Sequence, residues 1–198
     1  MSDGLDDGNW DDYADGWDAN EATISFAEQA FQSLTSAVAL DKPTVLDFGC
    51  GTGLLTERLA PLVKQIVALD ISEKMMAVLD AKQLPNVSTL TLPLSAQALQ
   101  ETPELQLKFD LIVASSVCGF LPDYEGTIQL IKSMLSNQGV FVQWDWLAAS
   151  ENAEFGLTQT RVNSALVNAG FTNINISLPF TMDSPEGSMS VLMAIATT

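Results

Sequence analysis

The 198-residue chain contains no histidine. That removes the side chain most often used as a general base near neutral pH, and the commonest metal ligand. Basic residues are scarce as well. Eight lysines and arginines stand against 25 aspartates and glutamates, for a net charge of −17, and the first basic residue is Lys42. Such a field repels phosphate backbones and anionic bilayers, so neither nucleic acid nor a membrane surface is an expected partner. Cysteine is limited to Cys50 and Cys118. Two cysteines make no disulfide framework, and without a Cys/His cluster no zinc site is expected. No apolar run approaches the roughly 20 residues of a membrane span. The acidic start MSDGLDDG has neither the basic nor the apolar segment of a secretory or transit signal. The cytoplasm, with both thiols reduced, is the expected setting.

What is present is the length and apolar content of one globular domain, with 47% hydrophobic residues. Residues 1–8, rich in aspartate and glycine, read as a frayed end. Residues 9–19 read as a short helix, with Asn9 as N-cap and Asp11 and Asp12 in its first turn. Residues 21–39 read as a second helix, with Ile24, Ala27, Phe31, Leu34 and Val38 on one stripe. After Pro43 short apolar runs (44–48, 65–70, 87–92, 109–115 and 139–144) alternate with helical stretches near 53–62, 72–83, 124–136 and 158–169. This alternation predicts βαβ units and an α/β fold around a parallel sheet. The last two runs, 174–182 and 188–196, are joined by the turn-rich DSPEG and read as an antiparallel hairpin.

The stretch VLDFGCGTG, Val45–Gly53, carries the most information. A buried strand runs into a loop with Gly49, Gly51 and Gly53, where glycine lets the backbone approach a ligand closely. The G-x-G-x-G spacing differs from the dinucleotide fingerprint, and no Gly-Lys-Ser/Thr follows for a phosphate loop. Asp47 precedes the glycines. A carboxylate there repels a pyrophosphate but suits a cationic ligand. In VALDIS, Asp70 ends the next strand, 21 positions after Gly49. It is placed either to accept ribose hydroxyls or to cap a helix starting near Ser72, and Ile71 beside it is placed to pack on a base.

VLDFGCGTG followed by VALDIS resembles the first two motifs of the class I S-adenosylmethionine-dependent methyltransferases of the small-molecule type. The similarity continues through FDLIVASSVCGFLPD (109–123), LSNQGVFVQ (135–143) and LVNAGF (166–171). The resemblance implies a Rossmann-like three-layer sandwich with a mostly parallel seven-stranded sheet and an antiparallel C-terminal hairpin strand. Residues 43–198 would form that core, and residues 9–40 would be N-terminal helices forming a lid, within one domain spanning 1–198. It implies S-adenosylmethionine as cofactor, S-adenosylhomocysteine as product, no metal, and a small-molecule acceptor. Asp47, Gly49, Cys50, Gly51 and Gly53 would shape the methionyl end, Asp70 would hold the ribose, Ile71 would pack on the adenine, and Ser115 would lie beneath the cofactor. The family's usual acid after strand three is missing from LPLSAQAL (92–99), which leaves Leu94, Ser95 or Ala96 to meet the adenine.

WDDYADGWD (10–18) resembles the N-terminal segment that lies over the cofactor in many small-molecule members of that family. Positions 10, 13, 14 and 17 share one helical face, so Tyr13 and Trp17 would cover the donor, unless the segment is simply an amphipathic helix docked on the domain. Gly16 weakens such a helix by about 1 kcal/mol relative to alanine. Methyl transfer from a sulfonium is a direct displacement that alignment can carry. If an acceptor must first lose a proton, Asp145 and Tyr13 are the candidate catalytic groups. In QWDWL, Trp144 and Trp146 fall on one side of an extended chain and Asp145 on the other. They either bind an amine acceptor or complete the core while Asp145 caps the next element. Cys118, Phe120 and Tyr124 are placed as the acceptor wall, and Asp123 as a helix cap. A protein side chain as acceptor, or a regulatory protein that binds the cofactor without turnover, are the alternatives; the sequence specifies no oligomeric state. If the segment is a lid, removing residues 1–20 lowers the calorimetric affinity for S-adenosylhomocysteine or the turnover. Unchanged values for both would defeat the lid.

Overall fold

The computed structural model describes residues 10–151, 153, 155–184 and 187–198; the expectations for residues 1–8 and for Asn9 as N-cap lie outside them. The strands are β1 Thr44–Phe48, β2 Gln65–Asp70, β3 Val87–Thr91, β4 Phe109–Ser115, β5 Leu135–Trp146, β6 Thr172–Ser184 and β7 Gly187–Thr197. They form one seven-stranded sheet in the order β3-β2-β1-β4-β5-β7-β6. The first five strands pair in parallel, and β7 runs antiparallel to both β5 and β6. The expected C-terminal hairpin is therefore present, with β7 inserted beside β5 and β6 on the edge. Pro179 falls in β6 where the register shifts, between Ser177 and Phe180, and an edge strand is where a missing N–H is tolerated.

The two-residue period of a strand sorts the core into two layers. From β1, Leu46 and Phe48 face a cluster built with α5 (Tyr124–Met134) and α6 (Gln159–Asn168). Val45 faces the other cluster, built with α1 (Glu21–Ala37), α2 (Leu54–Leu59) and α3 (Glu73–Ala81). Because both faces are covered, the central strands read as almost unbroken apolar runs. Asn20 caps α1 through its side chain, which accepts from Ala22 N–H, and Ser72 caps α3 by accepting from Met75 N–H.

Three expectations change. Residues 9–19 do not form one helix: short 3₁₀ turns at Trp10–Tyr13 and Trp17–Ala19 replace it. Gly16 stands between them at φ 84°, a left-handed conformation that ends a helix rather than merely weakening it. The stretch between β3 and β4 also holds a helix that the alternation did not reveal, α4 (Ala96–Glu101), too short to show a period. The pattern marked 139–144 as a strand, but β5 starts at Leu135, which pairs with Phe109. Its first residues, SNQG, carry the composition of a turn.

Parity puts both tryptophans of β5, Trp144 and Trp146, on the α1 side of the sheet. Trp144 is fully buried in the α1 layer, and its indole Nε1–H donates to Ser33 Oγ at 3.0 Å. Trp144 thus belongs to the core and not to an acceptor pocket, correcting the sequence expectation. Urea unfolding of Trp144→Ala should show a loss of about 3–5 kcal/mol, the usual cost of truncating a buried aromatic.

Candidate functional site

A cleft of about 1080 Å³ opens at the carboxyl ends of β1, β2 and β4. Strand order reverses between β1 and β4, and open α/β sheets bind ligands outside the strand ends at such a switch point. The loop after β1 forms its floor. Gly49 N–H and Cys50 N–H both donate to the Leu69 carbonyl, at 2.8 and 3.1 Å. Gly51 N–H donates to Asp70 Oδ2 at 2.8 Å. Gly49 has φ 69°, and a Cβ there would lie 2.4 Å from Val117. Only glycine lets the loop lie this close to the segment after β4. Gly49, Cys50 and Gly51 line the cleft. Gly53 does not: it starts α2 and sits against Leu79, 2.4 Å from where its Cβ would be. Its role is to turn the chain into the helix, one layer behind the site.

Asp70 accepts from Ser72 N–H through Oδ1 at 2.9 Å as well as from Gly51. Since Ser72 caps α3, the capping role considered for Asp70 falls to its neighbour. Asp70 faces the cleft, and exposed Ile71 lies beside it. Ser95, the N-cap of α4, and Ser115, at the end of β4, line other walls. Asp47 lies at the bottom, 1% exposed. Its Oδ2 accepts from Thr56 Oγ1–H at 2.6 Å, while Oδ1 is buried with no protein partner. Burial pushes the carboxyl up to about 7. The Thr56 hydrogen bond opposes that rise and the nearby charge of Asp70 adds to it. An unpartnered buried acceptor costs roughly 1–3 kcal/mol, so a hydrogen-bonding cation in the cleft would relieve it.

The acidic N-terminal segment covers one side. Trp10, Tyr13 and Trp17 all face the cleft, and their rings touch in series, 5.9 Å between Trp10 and Tyr13 and 6.5 Å between Tyr13 and Trp17. Asp11 and Asp18, next to Trp10 and Trp17 in the chain, anchor the segment. Asp11 Oδ1 accepts from Ser72 Oγ–H at 2.6 Å and from Lys74 N–H at 3.1 Å. The Ser72 hydrogen bond lowers its pKa, with the Lys74 N–H assisting, as suits a carboxylate at a helix N-terminus. Asp18 accepts from Thr52 Oγ1–H in the glycine loop and pairs with Lys82 at 2.8 Å. Sequence reasoning missed both anchors, because their partners are 34 and 61 or more residues away.

The acceptor wall needs correction. Phe120 and Trp146 line the cleft, as expected, but Cys118, Tyr124 and Asp145 do not. Asp145 is 1% exposed. Its Oδ1 accepts from Gly119 N–H at 2.9 Å and its Oδ2 from Gln143 Nε2–H at 2.8 Å. Gln143 Oε1 in turn accepts from the Tyr124 hydroxyl at 2.8 Å. Residues 143 and 145 share the face of β5 that looks at α5, so this network lies inside the core and braces the turn at Cys118–Phe120 from behind. Burial pushes Asp145 up to about 7, against those hydrogen bonds, and pushes both the Tyr124 phenol and the Cys118 thiol up. The Cys50 thiol rises for the same reason, helped by Asp47 and Asp70, so neither cysteine is an activated nucleophile. Phe26 and Phe155 line the cleft beside Trp146. The sequence stripe of α1, read as Ile24, Ala27, Phe31, Leu34 and Val38, left out Phe26, and nothing in sequence marked Phe155. Among the described residues no group of histidine, cysteine or carboxylate side chains is arranged to hold a metal, and no helix is long and apolar enough to cross a membrane.

A family model described as a methyltransferase domain matches residues 23–175. An uncharacterized methyltransferase of Schizosaccharomyces pombe is 33% identical over 106 residues, half of this chain, and the match spans only 37% of that protein. The fold matches a DhpI–SAM–HEP complex with a TM-score of 0.72, at 17% identity over 94% of this chain and 93% of that one. It also matches the N-methyltransferase NodS of Bradyrhizobium japonicum in complex with S-adenosylhomocysteine, with a TM-score of 0.68 at 20% identity over 96% and 99%. At such identities the structures share the architecture, mostly parallel with an antiparallel C-terminal pair.

The two buried carboxyls have a measurable signature. Each holds its proton up to about pH 7 when folded, against about 3.8 for an ordinary aspartate. At these two groups the folded chain binds more protons than the unfolded chain between those values, so their contribution to stability falls as pH rises through that window. Urea unfolding at the two ends of the window should show a smaller fall for Asp145→Asn than for the parent chain. An equal fall would mean that Asp145 is ionised in the folded protein throughout.

Proposed function

The chain belongs to the methyltransferase-domain family, and we propose that it transfers a methyl group from S-adenosylmethionine to a small-molecule acceptor held in this cleft. The observation that carries the reading is the buried, unpartnered Oδ1 of Asp47 beneath the glycine loop. A site for a pyrophosphate does not place a bare carboxylate oxygen there. A donor with both a sulfonium and an ammonium group fits it, and the approach left open by Gly49 and Gly51 fits the close passage of a ligand's backbone. When bound, that donor supplies a methyl group already activated on sulfur.

The residues then have separable tasks. Asp47 accepts from the cationic end. Asp70 has two oxygens with about four acceptor sites, two of them used by Gly51 and Ser72, which leaves capacity for ribose hydroxyls. Ile71 and Leu94 offer apolar surface to the adenine, with Ser95 and Ser115 at the edges. Tyr13 and Trp17 exclude water, with Trp10 beside them. Asp145 is not in reach as a base. Tyr13, Cys50, Asp123 and Asp183 are the other titratable side chains on the described wall, and alignment with exclusion of water is the main source of rate. The cytoplasm is the proposed setting, a reading that rests on the two free cysteines.

Calorimetric titration with S-adenosylhomocysteine tests the donor site. The intact chain should bind in the micromolar range, and Asp70→Ala should weaken binding at least tenfold, about 1.4 kcal/mol. No binding by the intact chain would withdraw the enzyme assignment.

A further inference from the structure

The wall of the cleft beyond the glycine loop has a specific chemistry. Five rings run along it in an unbroken series: Trp10, Phe120, Phe155, Trp146 and Phe26. Successive centroids are 5.2, 5.6, 6.0 and 5.4 Å apart. All five line the cleft. The contact between Trp10 and Phe120 is edge-on, with ring planes at 84°, and the other three are tilted at 38–59°. Such offset and edge geometries present both ring faces and ring edges to a flat guest. Met75, Met182 and Met189 also line the cleft, and flexible thioether side chains adapt to an irregular outline.

Charge is as one-sided as shape. The aspartate, glutamate, lysine and arginine side chains on the described wall are all aspartates: Asp47, whose carboxyl is pushed up to about 7 by burial, and Asp70, Asp123 and Asp183. None of the chain's eight lysines and arginines is among the lining residues, and the residues outside the description contain none of them. Arg58 pairs with Glu28, Lys82 with Asp18 and Glu57, and Arg161 with Glu125; Lys132 lies over the Phe171 ring, and the charge of Lys74, next to Met75 in the chain, acts on Asp11. The start of α5, which also borders the cleft, offers no anion site. The Gly126 N–H there already donates to Asp123 Oδ1 at 2.9 Å, so a second anion would meet a carboxylate. An anionic acceptor entering this wall would lose its hydration and gain no counter-charge from the side chains that line it. A neutral ring loses little, and a cation gains the ring faces and the surrounding negative potential.

We propose that the methyl acceptor is a flat, apolar ring compound of zero or positive charge, and that acceptors bearing a carboxylate, phosphate or sulfate are rejected. The proposal rests on the reading of the cleft as a methyl-transfer site, but its test does not. Calorimetry on the full chain, with and without saturating S-adenosylhomocysteine, would compare three probes of nearly equal shape: 2-naphthylmethylamine, 2-naphthylmethanol and 2-naphthoate. The amine and the alcohol should each bind at least tenfold more tightly than the naphthoate. Met189→Lys, which places a cation on the same wall, should bring the naphthoate to within tenfold of the alcohol. Naphthoate binding within tenfold of the alcohol in the parent chain, no binding by any of the three probes, or no gain for naphthoate in Met189→Lys would each overturn the proposal. Failure of S-adenosylhomocysteine to bind while the probes keep their order would overturn the donor reading and leave the charge selectivity standing.

Discussion

The site depends on how the loop after β1 is tied to the end of β2. Gly49 and Cys50 share one acceptor, the Leu69 carbonyl, and Gly51 donates to the Asp70 carboxylate. A loop buried against strands must place its N–H groups somewhere, and here three successive ones point at the neighbouring strand's end. The ties hold Gly49 in its left-handed conformation, flush against Val117. They also fix Asp70, which cannot swing away without releasing Gly51 and Ser72. The floor of the cleft, the orientation of the one carboxylate beside Ile71, and the start of α3 therefore form one unit.

Aspartate serves three different purposes around this unit, and environment decides which. Asp11 and Asp18 lie near the surface and spend their charge on Ser72, Thr52 and Lys82, pinning an aromatic flap that has no long helix of its own. Asp145 is buried and fully hydrogen-bonded, and it braces the Cys118–Phe120 turn from the core side. Asp47 is equally buried but leaves one oxygen without a protein partner. Of these, only Asp47 has an unmet requirement that a ligand can satisfy. The same residue type thus supplies an anchor, a brace and a receptor, while the rings supply the remainder of the cleft wall.

Much of this was legible along the chain. Strand bounds at 44–48, 65–70 and 109–115 coincide with β1, β2 and β4, because parallel strands buried on both faces leave short, near-continuous apolar runs. The glycine spacing and Asp70 were legible for the same local reason. The errors have a common cause. Asp145, Tyr124 and Cys118 sit beside cleft residues in sequence, but parity or the turn sends them to the other layer. Trp144 and Trp146 share a face, yet Ser33 takes the first into the core and Phe26 and Phe155 hold the second at the cleft.

The sequence by itself determined the class of fold, the glycine loop, the carboxylate at the end of β2 and the one-sided charge, since each rests on contacts within a few residues or on composition alone. Only the tertiary structure decided which side chains face the cleft. It set the five-ring wall from α1, the N-terminal turns, β5 and the loops after β4 and β5, and it matched Asp11 and Asp18 to hydroxyls dozens of residues away. Those choices depend on how separate elements pack against both faces of the sheet. Packing across layers leaves no periodic trace in any single segment.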